Sequence, residues 1–415
     1  MKVILVAEHA SIDFGGEAAL PCHYFRILLS RNIDVCLIVH ERSKPFLDKY
    51  FSQDKEHIFY IKDSWLHRFL HSCLKLLPSR LGGMTFGFAL RMLTQILQKR
   101  VAKKLIRNNQ NTSQAIVHQV IPVSPKEPSL FYGLGVPVIF GPLNGGMYYP
   151  EGFGQYEGRL SQWSNTVGRA ISKPVNYLFR GKLEADIIFV SNDRTKKALP
   201  TGLKGKVVTL VENGVDLSIW NSERRKTSSD IPSFIYVGRL VDWKAVDILI
   251  DAFFHAYKKY GEMNLHVIGD GDQRSLLEKM VSDYGLQDNV IFHGWVAQTD
   301  ISPLLVNSRA LVLPSLYECG GAVVLEAMAC SVSVVATNWG GPADYIDSSC
   351  GILVEPTSRK DMVNGFSNAI SSLASDILLA QKMGESGRKK IEEQYDWEKK
   401  VDDVFAVYQK VLNKT

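Results

Sequence analysis

Short runs rich in valine and isoleucine alternate with helical segments along the whole chain, and this alternation restricts the fold most strongly. Strands of a parallel sheet are buried on both faces, so their sequences are nearly continuous apolar runs. The helices between them then cover the two faces of the sheet. The pattern predicts an α/β protein with doubly wound parallel sheets, in which ligands bind beyond the carboxyl ends of the strands.

The predicted strands fall into two series, separated by the polar, serine-rich segment Asn221–Pro232. A chain of 415 residues is long enough for two domains with full cores. We expect a first domain over residues 1–212 and a second over 213–395, followed by an amphipathic helix over 396–415. The strands predicted for the first domain are Lys2–Ala7, Asp34–His40, His57–Lys62, Ala115–Val120, Pro137–Leu143, Asp186–Asn192 and Val207–Val211. Those predicted for the second are Ser233–Gly238, Asn264–Gly269, Asn289–Val296, Ala310–Pro314, Val332–Thr337 and Ile352–Val354.

The stretch from Pro314 to Tyr345 has the plan of an anion-binding site: a strand, a loop with Gly320 and Gly321, and a helix. Free N–H groups at a helix start favour a phosphate, and glycines let it approach closely. Glu326 is the only charge in that otherwise apolar helix, so it meets either a ligand hydroxyl or a partner in a structural salt bridge. Glu318, in the loop, is by itself an ordinary acid near a helix start, where it favours the helix dipole.

Other candidates stand at the ends of predicted strands. Arg239 and Lys244 follow the first strand of the second domain, where they are either surface charges or ligands of an anion. Gly15 and Gly16, like the pair Gly145 and Gly146, form either plain turns or ligand loops. His118, in a strand, is either a core residue with satisfied hydrogen bonds or a functional group.

Glu318 and Glu326 have seven residues between them, with glycine close behind the first, and they resemble the E-x7-E motif of family 4 of the retaining glycosyltransferases. The turn Gly340–Asp344 is similar to a turn of the same family. The resemblance implies the GT-B fold: two Rossmann-like domains facing a cleft, with a last helix that crosses back to the first. It also implies transfer of a sugar from a nucleotide-diphospho-sugar to an acceptor hydroxyl, of a glycolipid, a lipid-linked glycan or a polysaccharide precursor. The alternatives are a catalytically inert sugar-nucleotide-binding or scaffold protein, and a nucleotide-sugar epimerase on the same fold.

The resemblance also assigns roles to residues. This chain departs from the family pattern at two places: Cys319-Gly320 stands where Gly-Phe or Pro-Phe is common, and Ala245 stands where a glycine is usual. The implied residues are Glu318 and His118 beside the transferred sugar, Arg239, Lys244, Gly320, Gly321 and Gly16 on the donor diphosphate, Glu326 on the ribose, Val296 and Gly269 at the base, and Gly15, Gly145 and Gly146 on the acceptor side.

Several classes of protein are disfavoured. Gly269-Asp270-Gly271 ends a strand without the third glycine of a dinucleotide fingerprint, which argues against hydride transfer. The six cysteines lack metal-ligand spacing and suggest reduced thiols in a cytosolic protein. We expect no metal and no cofactor beyond the nucleotide-sugar co-substrate. No stretch of 18 uninterrupted apolar residues occurs, so no transmembrane helix is expected.

The net charge of +5 is unevenly distributed, since residues 64–126 hold ten lysines and arginines and no acid. Aromatic and aliphatic residues are interleaved with these charges, a pattern typical of helices that bind anionic membrane surfaces. The alternative is a pair of helices that pack on the sheet with their charges in solvent. Nucleic acid is disfavoured because no recognised binding module accompanies the charge. The sequence thus favours a cytoplasmic protein that docks peripherally at the inner face of a membrane.

Overall fold

The computed structural model describes residues 1–13, 16–77, 79–109, 114–156, 174–220 and 231–413. These residues form two compact units. Unit 1 comprises the described residues of 1–146, 163–212 and 401–415, and unit 2 comprises those of 147–162 and 213–400.

Residues 147–156, which the sequence assigned to the first domain, pack with unit 2 instead. The indole N–H of Trp339 donates a hydrogen bond to the carbonyl of Tyr148 at 2.8 Å. The rings of Tyr149 and Tyr317 lie 5.4 Å apart. These contacts join positions far apart in the sequence, which a strand-by-strand prediction does not detect.

Unit 1 is built on one parallel sheet of seven strands in the order β3-β2-β1-β4-β5-β6-β7. The apolar residues of β1 and β2 are fully or almost fully buried, as the near-continuous valine and isoleucine runs require. All seven strands predicted for the first domain are therefore confirmed. The strands are β1 (Lys2–Val6), β2 (Asp34–His40), β3 (Ile58–Ile61), β4 (Ala115–Gln119), β5 (Val138–Leu143), β6 (Ile187–Val190) and β7 (Lys206–Thr209).

Unit 2 is built on a second parallel sheet, of six strands in the order β10-β9-β8-β11-β12-β13. The central strand β11 is completely buried, because β8 and β12 pair with its two edges and helices cover its faces. The prediction of six strands in the second series is confirmed. The strands are β8 (Ser233–Val237), β9 (Asn264–Ile268), β10 (Val290–Gly294), β11 (Ala310–Leu313), β12 (Ser333–Thr337) and β13 (Gly351–Val354).

Helices connect most successive strands in both units, whereas β4 and β5 are joined by residues 120–137, which form no helix. Those up to residue 197 are Gly16–Ser30, Lys44–Tyr50, Trp65–Lys75, Ser79–Gly82, Phe88–Arg107, Gly181–Glu184 and Asp193–Lys197. Those that follow are Val246–Tyr260, Arg274–Asp283, Gln298–Val306, Ala322–Ala329, Gly341–Tyr345, Arg359–Ser375, Ile377–Lys390 and Trp397–Leu412.

The basic stretch of the sequence has two different environments in unit 1. The long helix Phe88–Arg107 packs on the sheet through buried residues that include Met92, Ala102 and Ile106. The shorter helix Trp65–Lys75 instead leaves large apolar side chains in solvent, with Trp65 72% and Phe69 56% exposed. No helix among the described residues combines the length and the apolar character needed to cross a bilayer.

Candidate functional site

Three loops meet in unit 2 beyond the carboxyl ends of β8, β11 and β12. The N–H of Leu316 donates to the carbonyl of Trp243 at 2.9 Å, which joins the loop after β8 to the loop after β11. The N–H of Gly341 donates to the carbonyl of Glu318 at 2.8 Å, which joins the loop after β11 to the turn after β12. The loop that carries Glu318 is therefore held from both sides by backbone hydrogen bonds.

Glycines allow these loops to approach each other backbone to backbone. A Cβ atom on Gly341 would overlap the carbonyl oxygen of Gly320. A Cβ atom on Gly269, at the end of β9, would overlap the carbonyl oxygen of Gly238, at the end of β8. Side chains at these positions would push the loops apart, so the glycine pattern fixes the shape of the site.

The two loops after β8 and β11 bring charged side chains together. The ammonium of Lys244 forms an ion pair with the carboxylate of Glu318, and the two side chains are only 14% and 15% exposed. The guanidinium of Arg239 lies 5.5 Å from the ring centre of Trp243. The buried phenol of Tyr236 holds the backbone of the loop after β8, since its hydroxyl donates to the carbonyl of Arg239 at 3.0 Å. Its pKa is raised by burial and further by the charge of Glu318.

Ala245 stands where the resemblance expects glycine, and the backbone explains that preference. Its φ of 50° is left-handed, a region that residues with a Cβ occupy at some cost. The helix Val246–Tyr260 begins at the next residue. Ala245 therefore adopts the conformation for which glycine is suited, and the turn that presents Lys244 is retained.

Glu326 lies on the helix Ala322–Ala329, which follows Gly321 with its left-handed φ of 71°. Gln298 donates a hydrogen bond to a carboxylate oxygen of Glu326 at 3.2 Å. Burial raises the pKa of Glu326 from 4.5 to about 7, and the bond from Gln298 opposes that rise only in part. Glu326 has no salt-bridge partner among the described residues. The alternative that this carboxylate serves a structural salt bridge is therefore removed.

The proposed base pocket residues lie beyond the neighbouring strands of the same sheet. The N–H of Gly269 donates to the carbonyl of Gly294, the last residue of β10, at 2.8 Å. Val296 follows that strand and is half-buried, beside Trp295, which is 77% exposed. Unit 2 thus brings Gly269 and Val296 to the carboxyl-end edge of the sheet that also carries the charged loops.

The prediction that His118 lies by the transferred sugar is wrong. Its ring is fully buried in unit 1 and both ring nitrogens are engaged, Nδ1 with the hydroxyl of Tyr408 at 2.5 Å and Nε2 with the carbonyl of Gly141 at 2.6 Å. Burial lowers the pKa of the imidazole to about 4. His118 is the satisfied core residue that its apolar strand also allowed, because no ring nitrogen remains for a ligand.

The glycines predicted for the first domain lie in unit 1. Gly16 is the first residue of the helix Gly16–Ser30 and has a φ of 49°, whereas Gly15 lies outside the described residues. Gly145 and Gly146 follow β5, and the N–H of Gly145 donates to the hydroxyl of Thr195 at 3.1 Å. Their phosphate and acceptor roles stay predictions.

Three residues of the unit 2 site were missed by the sequence analysis. Asn213 donates to the hydroxyl of Tyr345 at 3.1 Å and lies against Gly320, where a Cβ atom would overlap its amide nitrogen. Trp243 supplies the carbonyl that holds the loop after β11, and Gln298 is the partner of Glu326. None belongs to a local motif, and only the polar Asn213-Gly214 at a strand-to-loop boundary was a signal in the sequence.

The two parallel sheets and their order define a class of protein, the α/β proteins with two Rossmann-like domains of the GT-B type. The fold is similar to that of sucrose-phosphate synthase from Thermosynechococcus elongatus, with a TM-score of 0.62, 18% identity and full coverage of both chains. It is also similar to HepE of Anabaena in complex with UDP and glucose, with a TM-score of 0.63, 15% identity and coverage of 99% of this chain and 100% of that one.

Within that class, residues 220–390 match the family "Glycosyl transferases group 1" and form a domain of that kind. Glycogen synthase of Mycobacterium tuberculosis is 28% identical over 257 residues, which are 60% of this chain and 60% of that protein. One component of the phosphatidylinositol N-acetylglucosaminyltransferase of Arabidopsis thaliana is 28% identical over 214 residues, 52% of this chain and 46% of that protein. The matches thus span less than two thirds of the length of these relatives.

Proposed function

We propose that the protein is a retaining glycosyltransferase of family 4 that moves a sugar from a nucleotide-diphospho-sugar to an acceptor hydroxyl. The observation that carries the proposal is the cluster of Arg239, Lys244 and Glu318 on loops held by glycines, next to a helix start. Fixed cations in a partly buried site stabilise the charge that develops on a leaving diphosphate. The group 1 domain that covers these residues supports the same activity.

Each residue of the cluster takes one part of the donor. Arg239 and Lys244 bind the diphosphate, together with the free N–H groups that follow Gly320 and Gly321. Glu318 accepts hydrogen bonds from hydroxyls of the transferred sugar and meanwhile keeps Lys244 in place through their ion pair. Glu326 binds the ribose hydroxyls, for which its carboxylate has acceptor capacity beyond the single bond from Gln298.

The reaction retains the configuration of the donor sugar, with the leaving phosphate taking the proton of the acceptor hydroxyl on the same face. The two basic side chains supply the positive charge that a metal supplies in other transferases, so no metal is required. The acceptor is a glycolipid, a lipid-linked glycan or a polysaccharide precursor. Two relatives that are similar over about half of this chain are named for a glycan and for a lipid: glycogen synthase for glycogen, and the N-acetylglucosaminyltransferase component for phosphatidylinositol.

The donor site is tested with UDP as the probe, by isothermal titration on the full chain. We expect Lys244→Ala and Arg239→Ala each to weaken UDP binding at least tenfold and to lower transfer or hydrolysis of UDP-sugars roughly a hundredfold, the scale of losing one preorganised charge. Lys279→Ala removes the same charge from an exposed helix position of unit 2 and serves as the matched control. If both site variants bind UDP as tightly as the wild type, the assignment of Arg239 and Lys244 to the donor diphosphate is contradicted. If the donor sugar is converted to its epimer without an acceptor, the protein is an epimerase.

Peripheral membrane binding forms the second part of the proposal. The helix Trp65–Lys75 exposes Trp65 and Phe69 one turn apart, and Leu76, just beyond it, is 82% exposed. Arg68 and Lys75 lie on the same short helix. Exposed apolar side chains beside basic ones fit a bilayer with anionic headgroups, to which each basic residue contributes about 1 kcal/mol.

Liposome co-sedimentation at low and high salt tests this part. Wild-type protein should bind anionic vesicles, with binding that weakens as salt screens the charges, and a Trp65→Ala/Phe69→Ala double variant should lose most of it. Leu378→Ala is the control, because Leu378 is 73% exposed in unit 2. Equal and negligible binding of the wild type to anionic and neutral vesicles removes the argument for a lipid acceptor.

A further inference from the structure

Gln298 stands where two parts of the donor site of unit 2 meet. It is the first residue of the helix Gln298–Val306, and it follows Val296, at the proposed base pocket, after one intervening residue. Its side-chain amide reaches Glu326, the proposed ligand of the ribose, 28 positions further along the chain. Gln298 therefore connects the segment that would hold the base to the residue that would hold the ribose.

Packing between the two helices that carry Gln298 and Glu326 fixes the contact between them. Ser302 lies one turn beyond Gln298, and Cys330 lies one turn beyond Glu326. The hydroxyl of Ser302 is 3.9 Å from Sγ of Cys330, and both side chains are fully or almost fully buried. Two side-chain contacts, one turn apart on both helices, therefore hold the amide and the carboxylate in register.

The bond from Gln298 engages only one oxygen of the carboxylate. Nε2 of Gln298 donates to Oε1 of Glu326 at 3.2 Å, whereas Oε2 accepts no hydrogen bond from the part of the chain that the structure describes. A carboxylate oxygen accepts more than one hydrogen bond, so both oxygens keep capacity for a ligand. The amide thus orients the carboxylate and leaves it available to donors of a bound molecule.

Gln298 also acts on the charge of this carboxyl. Burial raises the pKa of Glu326 to about 7, and the bond from Gln298 lowers it, because a hydrogen bond donated to a carboxylate favours the ionised form. The charged side chains of the same site, Arg239, Lys244 and Glu318, make no contribution to this pKa. Among the described residues, Gln298 is therefore the one side chain that favours the ionised form of Glu326.

Glutamine suits this position because its amide donates a hydrogen bond without carrying a charge. A lysine or an arginine would form an ion pair with the carboxylate of Glu326 and compete with a ligand for its oxygens. An acidic residue would repel that carboxylate and raise its pKa further. The uncharged donor is the side-chain type that orients the carboxylate and still leaves it to the ligand.

We propose that Gln298 is a positioning residue of the donor site, which turns the carboxylate of Glu326 towards the two ribose hydroxyls and keeps it ready to accept hydrogen bonds from them. The proposal rests on the proposed transferase function and adds a residue that acts through Glu326. A site built to bind hydroxyls rejects an analogue that lacks them, because its acceptor is then left unpaired. The donor site should therefore select ribonucleotides, and Gln298 should strengthen that selection.

The experiment compares two probes, UDP and a dideoxy-UDP that lacks both ribose hydroxyls, by isothermal titration on the full chain. The ratio of their affinities reports on contacts to those hydroxyls alone, because the base and the diphosphate are the same. We expect the wild type to bind UDP roughly tenfold or more tightly than dideoxy-UDP at pH 8, the scale of a hydrogen bond to a charged group. Gln298→Ala should lower this ratio roughly fivefold, the scale of one lost hydrogen bond.

Three further variants separate an effect through Glu326 from a general one. Gln287→Ala is the matched control and should keep the wild-type ratio, since Gln287 is exposed in the same unit and bonds to the hydroxyl of Ser282 at 3.3 Å. Gln298→Glu keeps the shape but brings a second acid to Glu326, so it should lower the ratio at least as much as Gln298→Ala. The double variant Gln298→Ala/Glu326→Gln should have the same ratio as Glu326→Gln alone.

A pH series supplies a readout that a merely structural role would not move. The affinity ratio of the wild type should rise from pH 6 to pH 8 as Glu326 ionises. In Gln298→Ala the rise should move to higher pH, because the bond that lowers the pKa of Glu326 has been removed. Glu326→Gln should show a ratio that does not change with pH. Titration of the diphosphate does not affect the ratio, since both probes carry the same diphosphate.

The proposal is overturned if Gln298→Ala weakens both probes equally, since an unchanged ratio indicates that Gln298 supports only the local structure. It is also overturned if the wild type binds both probes with the same affinity, or if the double variant has a lower ratio than Glu326→Gln. Failure of the wild type to bind UDP contradicts the proposed transferase itself. Wild-type binding of UDP together with an unchanged ratio and pH profile in Gln298→Ala contradicts the role of Gln298 alone.

Discussion

Replacing Glu326 by glutamine should make unit 2 more stable and at the same time weaken nucleotide binding. In the folded protein burial raises the pKa of this carboxyl from 4.5 to about 7. A rise of that size corresponds to about 3 kcal/mol, which is the cost of keeping the ionised group in its half-buried position. Glutamine has nearly the same shape, can still accept the bond from Gln298, and carries no charge to be desolvated.

The sign of the effect depends on pH. Below pH 4.5 the carboxyl is protonated in both the folded and the unfolded chain, so the substitution should change little. Between pH 4.5 and 7 the unfolded chain releases the proton first, and the wild type loses stability through this group as the pH rises. The advantage of Glu326→Gln should therefore grow across that window and reach at most about 3 kcal/mol at pH 8.

Urea denaturation at pH 5 and pH 8 measures the effect, with hydrogen exchange of the helix Ala322–Ala329 reporting on unit 2 specifically. Titration with UDP on the same samples should show weaker binding by Glu326→Gln, because a charged acceptor for the ribose hydroxyls has been removed. Glu393→Gln removes a carboxylate that is 55% exposed in the same unit and should change stability by less than about 0.5 kcal/mol. If Glu326→Gln is no more stable than the wild type at pH 8, or binds UDP as tightly, the reasoning is refuted.

Three further predictions concern the core of unit 1, the glycine contacts and the reaction. Because burial lowers the pKa of His118 to about 4, the wild type should lose about 3 kcal/mol of unit 1 stability as the pH falls from 6.5 to 4. His118→Gln should lack this loss in urea titrations, and His57→Gln, at a position where 36% of the side chain is exposed, should keep it. Gly341→Ala should destabilise unit 2 by roughly 2 kcal/mol or more in calorimetry, whereas Gly154→Ala, whose added Cβ has no neighbour within 4 Å, should not. NMR of the fresh transfer product should show the anomeric configuration of the donor, and an inverted linkage would reject the retaining assignment.

The architecture was predictable because a buried strand can be recognised from a short local run of apolar residues. The apolar runs of β1, β2 and β11 are buried on both faces, and no long-range contact is needed to recognise them. The ion pair of Lys244 with Glu318 was not predictable as a contact, since it joins residues 74 positions apart. It depends on the loop geometry that the close backbone approach of Gly320 and Gly341 permits.

His118 and Glu8 show that the environment of a polar side chain cannot be predicted from the local sequence. A histidine in an apolar strand is compatible with a core position and with a ligand position, and the choice depended on Tyr408, 290 residues further along the chain. Glu8 follows β1 without a motif, and its raised pKa arises from burial and from Glu127, which are features of the assembled unit. Sequence patterns identify elements well, whereas charge environments require the tertiary structure.

The bond between His118 and Tyr408 has a consequence for how the protein is made. A ribosome produces β4 long before it produces the helix Trp397–Leu412, whose residues from 401 onward belong to unit 1. Throughout that interval Nδ1 of His118 lacks its partner, and the nascent unit exposes the apolar surface that Val401, Val404 and Tyr408 later cover. Vectorial folding of unit 1 therefore stays incomplete until the segment from residue 401 onward has been synthesised and has emerged from the exit tunnel. A released chain truncated before residue 401 should accordingly be a better chaperone substrate than a released chain that extends through residue 412.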